Sequence, residues 1–165
     1  MAKQVHGNPK RLDAVDLTTY VFADTGASGT VTITPTVDAA GLEGGQSLFM
    51  DIGTGSSGGY VDLKEYWIIN KSSGQIQVAN SRENAALNIA DLTASGSAGS
   101  GTLYPNVHVG GTIFVGTGGT VYARGIESSS YQVLSNVADG QLLPYMLGAV
   151  SASGTTASGI IKAYK

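Results

Sequence analysis

Two overlapping glycine-rich motifs are the residues whose spacing could carry chemistry. Residues 53–58 (Gly-Thr-Gly-Ser-Ser-Gly) have the G-x-G-x-x-G spacing of a dinucleotide-binding loop. Such a loop needs a helix immediately after it, because the first amides of that helix bind the pyrophosphate. Here residues 60–63 (Tyr-Val-Asp-Leu) follow and predict a strand. We therefore interpret the motif as a glycine-rich hairpin loop and expect no cofactor.

Residues 55–59 (Gly-Ser-Ser-Gly-Gly) also have the G-x-S-x-G spacing of a hydrolase nucleophile. Asp91 and His108 follow it in the Ser, acid, His order of that enzyme class. The hydrolase fold needs several strand–helix units, whereas this chain has a single short stretch of helical character. A Gly/Ser-rich segment at residues 94–102 also separates Asp91 from His108. We expect His108 to be a strand side chain and the protein not to be an enzyme.

A metal site would need clustered oxygen or nitrogen ligands, and the candidate aspartates are scattered. Asp51 and Asp62 lack the spacing of an EF-hand loop, and Asp24 and Asp38 would meet Asp51 only through the fold. The chain contains no cysteine, which excludes disulfides and thiolate metal sites. We predict solvated turn aspartates and no bound metal, and leave a structural cation open.

The composition indicates a packed β protein. Apolar residues make up 42% of the 165 residues, enough for a core, and charged residues only 13%, against about 25% in ordinary soluble domains. The 24 glycines accompany many β-branched residues and eight tyrosines, which disordered chains lack. The net charge of −3 provides no basic surface for nucleic acid. No apolar stretch approaches the roughly 20 residues that span a bilayer, so we expect no membrane partner.

Short apolar runs separated by Gly, Ser and Thr predict the strands that would position these residues. Residues 30–37 alternate Thr with Val or Ile, which is typical of a half-buried strand. Ser73-Gly74 separates two β-rich runs and predicts a hairpin. Residues 66–69 (Tyr-Trp-Ile-Ile) are the best core candidate, and residues 82–92 predict one or two helical turns.

The predicted fold is all-β, with β-sandwich or jelly-roll-like antiparallel sheets and at most one short helix. Residues 1–12 predict an extended N-terminal arm that holds three of the nine basic residues. Residues 13–93 and 103–165 predict two β modules. Residues 94–102, built almost entirely from Gly, Ser and Ala, predict a linker or loop between them.

The C-terminal third contains a strand entry of the form G-x-x-L-P at residues 140–144 and a G-T-T-A-x-G turn at residues 154–159. An apolar terminal strand at residues 160–164 follows. This ending resembles that of small virion proteins of tailed bacteriophages and gene-transfer agents, of the head decoration (cement) or head-spike-base type. The resemblance covers roughly 55 of the 165 residues and none of the first 95.

The resemblance implies a non-enzymatic protein that decorates and stabilises the capsid through contacts between subunits and with the shell. Proteins of this kind are often β-sandwich oligomers, frequently trimers, so we expect a homotrimer that binds the major capsid protein or other virion proteins. It would be made in the host cytoplasm and reside in the virion, on the capsid surface rather than the tail. The candidate assembly contacts are Lys3, His6, Pro9, Arg11, Tyr145, Ile160 and Tyr164.

Two alternatives remain open from the sequence. The same resemblance is compatible with a tail, baseplate or fibre-attachment protein. A different class, a carbohydrate-binding β module, would need an exposed aromatic row centred on Trp67, the only tryptophan. The assignment of residues 66–69 to the core argues against that row.

Overall fold

Antiparallel strands make up nearly all of the regular structure. The computed structural model describes residues 12–24, 30–34, 42–52, 60–72, 74–92 and 100–163. The elements within these residues are β1 (Leu12–Ala14), β2 (Tyr20–Asp24), β3 (Thr30–Thr34), β4 (Ser47–Ile52), β5 (Lys64–Ser72), β6 (Gln75–Ala79), α1 (Arg82–Ala86), β7 (Ser100–Val115), β8 (Gly119–Gly125), β9 (Gln132–Val137), β10 (Gln141–Ser151) and β11 (Ile161–Ala163).

Six strands close on themselves in the N-terminal half. They pair in the order β2, β3, β6, β5, β4 and β7, and β7 then pairs back onto β2. Along β7, Leu103 lies opposite Met50 on one side and Tyr20 on the other. We call these six strands the N-terminal ring. Closure leaves no open edge in this part of the sheet.

Alternation of residues places the first hydrophobic core inside the N-terminal ring. In β5, Tyr66 and Ile68 are fully buried, whereas Trp67 and Ile69 are half-buried because neighbouring residues of a strand point to opposite faces. The prediction that residues 66–69 form core is therefore right for two of the four. The strand residues of this core are Tyr20, Phe22, Val31, Leu48, Met50, Tyr66, Ile68, Ile76, Val78 and Leu103.

The C-terminal strands form an open sheet in the order β1, β11, β7, β10, β8 and β9, which we call the C-terminal sheet. One of its faces covers a second core that includes Val109, Ile113, Val121, Leu143 and Val150. The 16-residue strand β7 belongs to both sheets. Its N-terminal part completes the N-terminal ring, and its C-terminal part lies at the centre of the second core.

The predicted all-β, antiparallel class with one short helix is confirmed. The predicted hairpin is present as the β5–β6 pair, with Gly74 in the left-handed region at φ 75°. Residues 1–11 of the predicted arm, the glycine-rich motifs at residues 53–59 and most of the predicted linker lie outside the described residues. Leu12, the last residue assigned to the arm, instead begins β1. Ser100–Thr102, at the end of the predicted linker, instead begin β7. Val15, in the predicted N-terminal module, packs in the second core with residues of the C-terminal strands. The division into two modules stays a prediction.

Candidate functional site

A polar network joins the N-terminal ring to the C-terminal sheet. Arg124 of β8 places Nη1 3.6 Å from Glu65 Oε1 of β5. The same carboxylate oxygen accepts a hydrogen bond of 3.2 Å from Asn106 Nδ2 of β7. Asn106 Nδ2 also donates to Ser47 Oγ of β4 at 3.1 Å. Four strands that are distant in sequence therefore fix these side chains relative to one another.

Asn106 presents an unused acceptor within this network. The residue is only 3% exposed, and its Oδ1 accepts no hydrogen bond from the part of the chain that the structure describes. The amide orientation follows from its neighbours, because the Glu65 carboxylate accepts and must face the NH₂ group. Leaving a buried carbonyl oxygen without a donor costs about 1–3 kcal/mol. The Oδ1 atom is itself buried, so a molecule in solution could reach it only if the surrounding side chains moved.

Ser47, Asn106 and Arg124 line a cleft of about 480 Å³ between the two sheets, which we call the inter-sheet cleft. Trp67 of β5, in the N-terminal ring, and Arg82 of α1 also line it. The C-terminal sheet contributes Lys162 and Gly148, and the turn before β4 contributes Glu43. The cleft is thus assembled from elements spread over most of the chain.

Positive charge is concentrated at this cleft although the whole chain carries −3. The sequence has six lysines and arginines after residue 12. Three of them, Arg82, Arg124 and Lys162, line the cleft, where Glu43 is the acidic lining residue. Lys162 Nζ is held there by a 3.2 Å hydrogen bond to the His108 carbonyl. With Glu65 counted beside Arg124, three basic side chains stand against two acidic ones, Glu43 and Glu65, so the local charge still favours an anion.

A cluster of three aromatic rings packs against the Arg124 side chain. The Tyr131 ring lies 5.4 Å from Phe49 and 5.2 Å from Tyr122, measured between ring centroids. The Arg124 guanidinium lies 5.2 Å from the Tyr131 centroid, a cation–π distance. Since Phe49 belongs to β4 and Tyr122 to β8, the cluster also packs the two sheets together and restricts the Arg124 side chain.

The Tyr131 phenol makes this junction sensitive to alkali. Burial raises the pKa of Tyr131 well above its usual value, the Arg124 charge opposes that rise and the Glu65 charge adds to it. The folded pKa therefore exceeds the unfolded value of about 10. The contribution of the neutral Tyr131 phenol to the free energy of unfolding is complete below pH 10 and is lost as the pH rises further. Tyr20 and Tyr66 have raised pKa values for the same main reason, burial.

We expect Tyr131→Phe to reduce, without abolishing, the loss of stability between pH 8 and pH 11, because Tyr20 and Tyr66 still titrate. Urea unfolding midpoints at the two pH values measure it. Tyr104→Phe, at a half-buried tyrosine of β7, controls for the loss of a hydroxyl. An equal loss of stability in wild type and Tyr131→Phe would contradict the assignment.

The structure describes two members of the Ser, acid, His order, Asp91 and His108, and the serine lies outside the described residues. Asp91 accepts hydrogen bonds of 2.8 Å from the Asn80 amide, before α1, and from Asn84 Nδ2, within α1. Burial acts to raise the pKa of Asp91, but these hydrogen bonds outweigh it and lower the pKa. His108 is exposed on β7. Among the described residues, no three His, Cys, Asp or Glu side chains cluster as metal ligands.

Two of the predicted assembly contacts, Tyr145 and Ile160, lie in the part of the chain that the structure describes. Lys3, His6, Pro9, Arg11 and Tyr164 lie outside the described residues. Tyr145 lies in β10, and Ile160 is 3% exposed and packs in the second core. The sequence did not single out Arg82, Asn106, Arg124 or Lys162. No spacing motif relates these residues, and nothing in their sequence context distinguishes them from the other polar residues of the chain.

A row of apolar side chains crosses the other face of the C-terminal sheet. Leu142 of β10 lies directly opposite Phe114 of β7, and Phe114 lies opposite Ile161 of β11, which in turn pairs with Ala14 of β1. Leu142 is 57% exposed and Phe114 39%. The neighbours Ile113 and Val115 are fully buried, so the row faces away from the second core. We call these four residues the outer row.

No protein-family model, curated protein or solved structure matches this chain. Within the described residues, α1 is five residues long and no helix is long and apolar enough to cross a membrane.

Proposed function

We propose that this chain is a non-enzymatic structural protein of a tailed-bacteriophage virion, which decorates and stabilises the capsid. The observation that carries the proposal is the outer row. Three of its four members, Phe114, Leu142 and Ile161, lie in the C-terminal third that resembles head decoration proteins. The part of the chain with the resemblance is thus also the part with an exposed apolar sheet face.

The outer row has the physical properties of a contact surface. Neighbouring strands lie about 4.8 Å apart, so a row across four strands is about 15 Å long. Contiguous apolar surface of this kind marks an interaction site more often than single exposed side chains do. Full burial of an exposed Leu, Phe or Ile side chain contributes about 1.5–3 kcal/mol, and covering the part that is still exposed here contributes the corresponding fraction. A partner that covers the row therefore gains affinity without any chemical step.

The row also has a rigid support. Leu142 and Phe114 alternate along their strands with Leu143 and Ile113 of the second core, so the row is fixed by buried neighbours. A preorganised face loses little conformational entropy when it binds. The occupant in this proposal is the capsid shell together with further copies of the chain, with a trimer as the expected oligomer.

Leu142→Glu tests the proposal. We expect the variant to fold, because Leu142 is more than half exposed, and to occupy purified capsids at least about tenfold less well, since a carboxylate must then be buried against apolar surface. Val21→Glu, at a 59% exposed residue of the N-terminal ring, is the matched control and should bind normally. Gel densitometry of washed capsids measures occupancy.

Unchanged occupancy for Leu142→Glu would contradict the role of the outer row. Binding of the wild-type protein to purified tails but not to capsids would contradict the head assignment and favour the tail alternative. Light scattering on the free protein, with and without Leu142→Glu, measures whether the row also joins copies of the chain.

A further inference from the structure

We propose that the inter-sheet cleft binds a carboxylated sugar, such as a hexuronic acid unit of an acidic polysaccharide. This is a binding activity beyond capsid decoration, at a surface separate from the outer row. Two features of the cleft carry it: the clustered cations and the Trp67 side chain.

The cations are suited to a carboxylate. The Glu65 contact of Arg124 involves Nη1, and a guanidinium has five N–H donors, so donors remain for a ligand. Glu65 and the Tyr131 ring together hold this guanidinium in place, which lowers the entropy lost on binding. Lys162 is positioned by its bond to the His108 carbonyl, and Arg82 approaches from α1. Charge-assisted hydrogen bonds from such groups are the stronger class.

The acidic lining residue favours a ligand that also carries hydroxyl donors. The Glu43 carboxylate can accept hydrogen bonds, and a sugar acid has hydroxyl groups on the same ring as its carboxylate. One such ring can therefore contact the cations through its carboxylate and Glu43 through a hydroxyl.

Size and the aromatic side chain agree with a sugar ring. The volume of about 480 Å³ lies within the range of about 300–1,000 Å³ that small-molecule sites occupy. Trp67 is half-buried where it lines the cleft. An indole offers apolar area that the C–H face of a pyranose can cover. A single tryptophan inside a polar cleft, rather than an exposed aromatic row, is the arrangement found here.

Trp67 also supplies the assay, since it is the only tryptophan of the chain. Titration of the full-length protein with digalacturonate is expected to change its tryptophan fluorescence saturably and to protect it from acrylamide quenching. Arg82→Gln should weaken this binding about fivefold to tenfold, because Arg82 is exposed and its loss leaves the fold intact. Lys64→Gln removes the same charge outside the cleft and should leave binding unchanged within about twofold.

Four outcomes would overturn the proposal. Equal binding of digalactose, the neutral analogue, would exclude recognition of the carboxylate. Equal protection by inorganic phosphate would reduce the cleft to a general anion site, and equal binding of a tetraglutamate peptide would favour an acidic peptide. An equal loss of affinity in Lys64→Gln and Arg82→Gln would indicate a diffuse charge effect. Leu142→Glu should bind digalacturonate with wild-type affinity, because Leu142 lies in the outer row and not in the cleft. Failure of the capsid proposal and failure of the cleft proposal can therefore be distinguished.

Discussion

Gly148→Ala is expected to destabilise the protein by about 2–4 kcal/mol. A Cβ at position 148 would lie 2.8 Å from the Gly125 carbonyl oxygen and 2.9 Å from Ile126 Cα. Both neighbours are backbone atoms, which cannot rotate away as the end of a flexible side chain can. The β8 and β10 backbones would therefore have to separate beside the second core. Glycine at 148 is required by this close approach.

Urea unfolding at neutral pH measures the effect, with Gly44→Ala as the matched control. A Cβ at position 44 meets only the Ile69 carbonyl oxygen, at an ordinary contact distance of 3.9 Å, among the described atoms. We expect this control to change stability by no more than about 0.5 kcal/mol. Wild-type urea unfolding midpoints for both variants would contradict the close packing of the β8 backbone against the β10 backbone.

The sequence predicted the strands better than their partners. The strand at residues 30–34 and the hairpin at Gly74 depend on neighbouring residues, and both elements are present. The return of β7 onto β2 joins residues about eighty positions apart, and a period-2 pattern fixes the face of a strand without naming its partner. Strand β7 also runs through Pro105 and Gly110, residue types that predict strand ends.

The inter-sheet cleft could not be predicted from the sequence, because it too depends on which distant elements pack together. Its residues come from β4, β5, α1, β7, β8, β10 and β11, so no local spacing connects them. The glycine-rich motifs at residues 53–59 could be recognised because their residues are close in sequence. Glycine-rich turns have the same spacing without any catalytic or binding role. Asn106 could not be distinguished by type, since only its burial and its half-satisfied amide make it unusual.

Leu103→Ala and Ile113→Ala are expected to lower one shared unfolding transition. Both residues are fully buried on β7, Leu103 in the first core and Ile113 in the second. Each truncation should cost about 2–5 kcal/mol. For a chain of this size that lowers the melting temperature by about 5–15 °C. Leu142→Ala, at an exposed residue of the C-terminal sheet, is the control and should have little effect.

The coupling follows from the position of β7. If its C-terminal part separates from β10 and β11, its N-terminal part loses a rigid continuation. If the N-terminal part separates, both β2 and β4 lose a partner and the ring opens. Amide hydrogen exchange at Ile68 and Val78, in the core of the N-terminal ring, reports on that ring, so Ile113→Ala should accelerate exchange at both residues. Exchange there at the wild-type rate would instead mean that the predicted modules unfold independently.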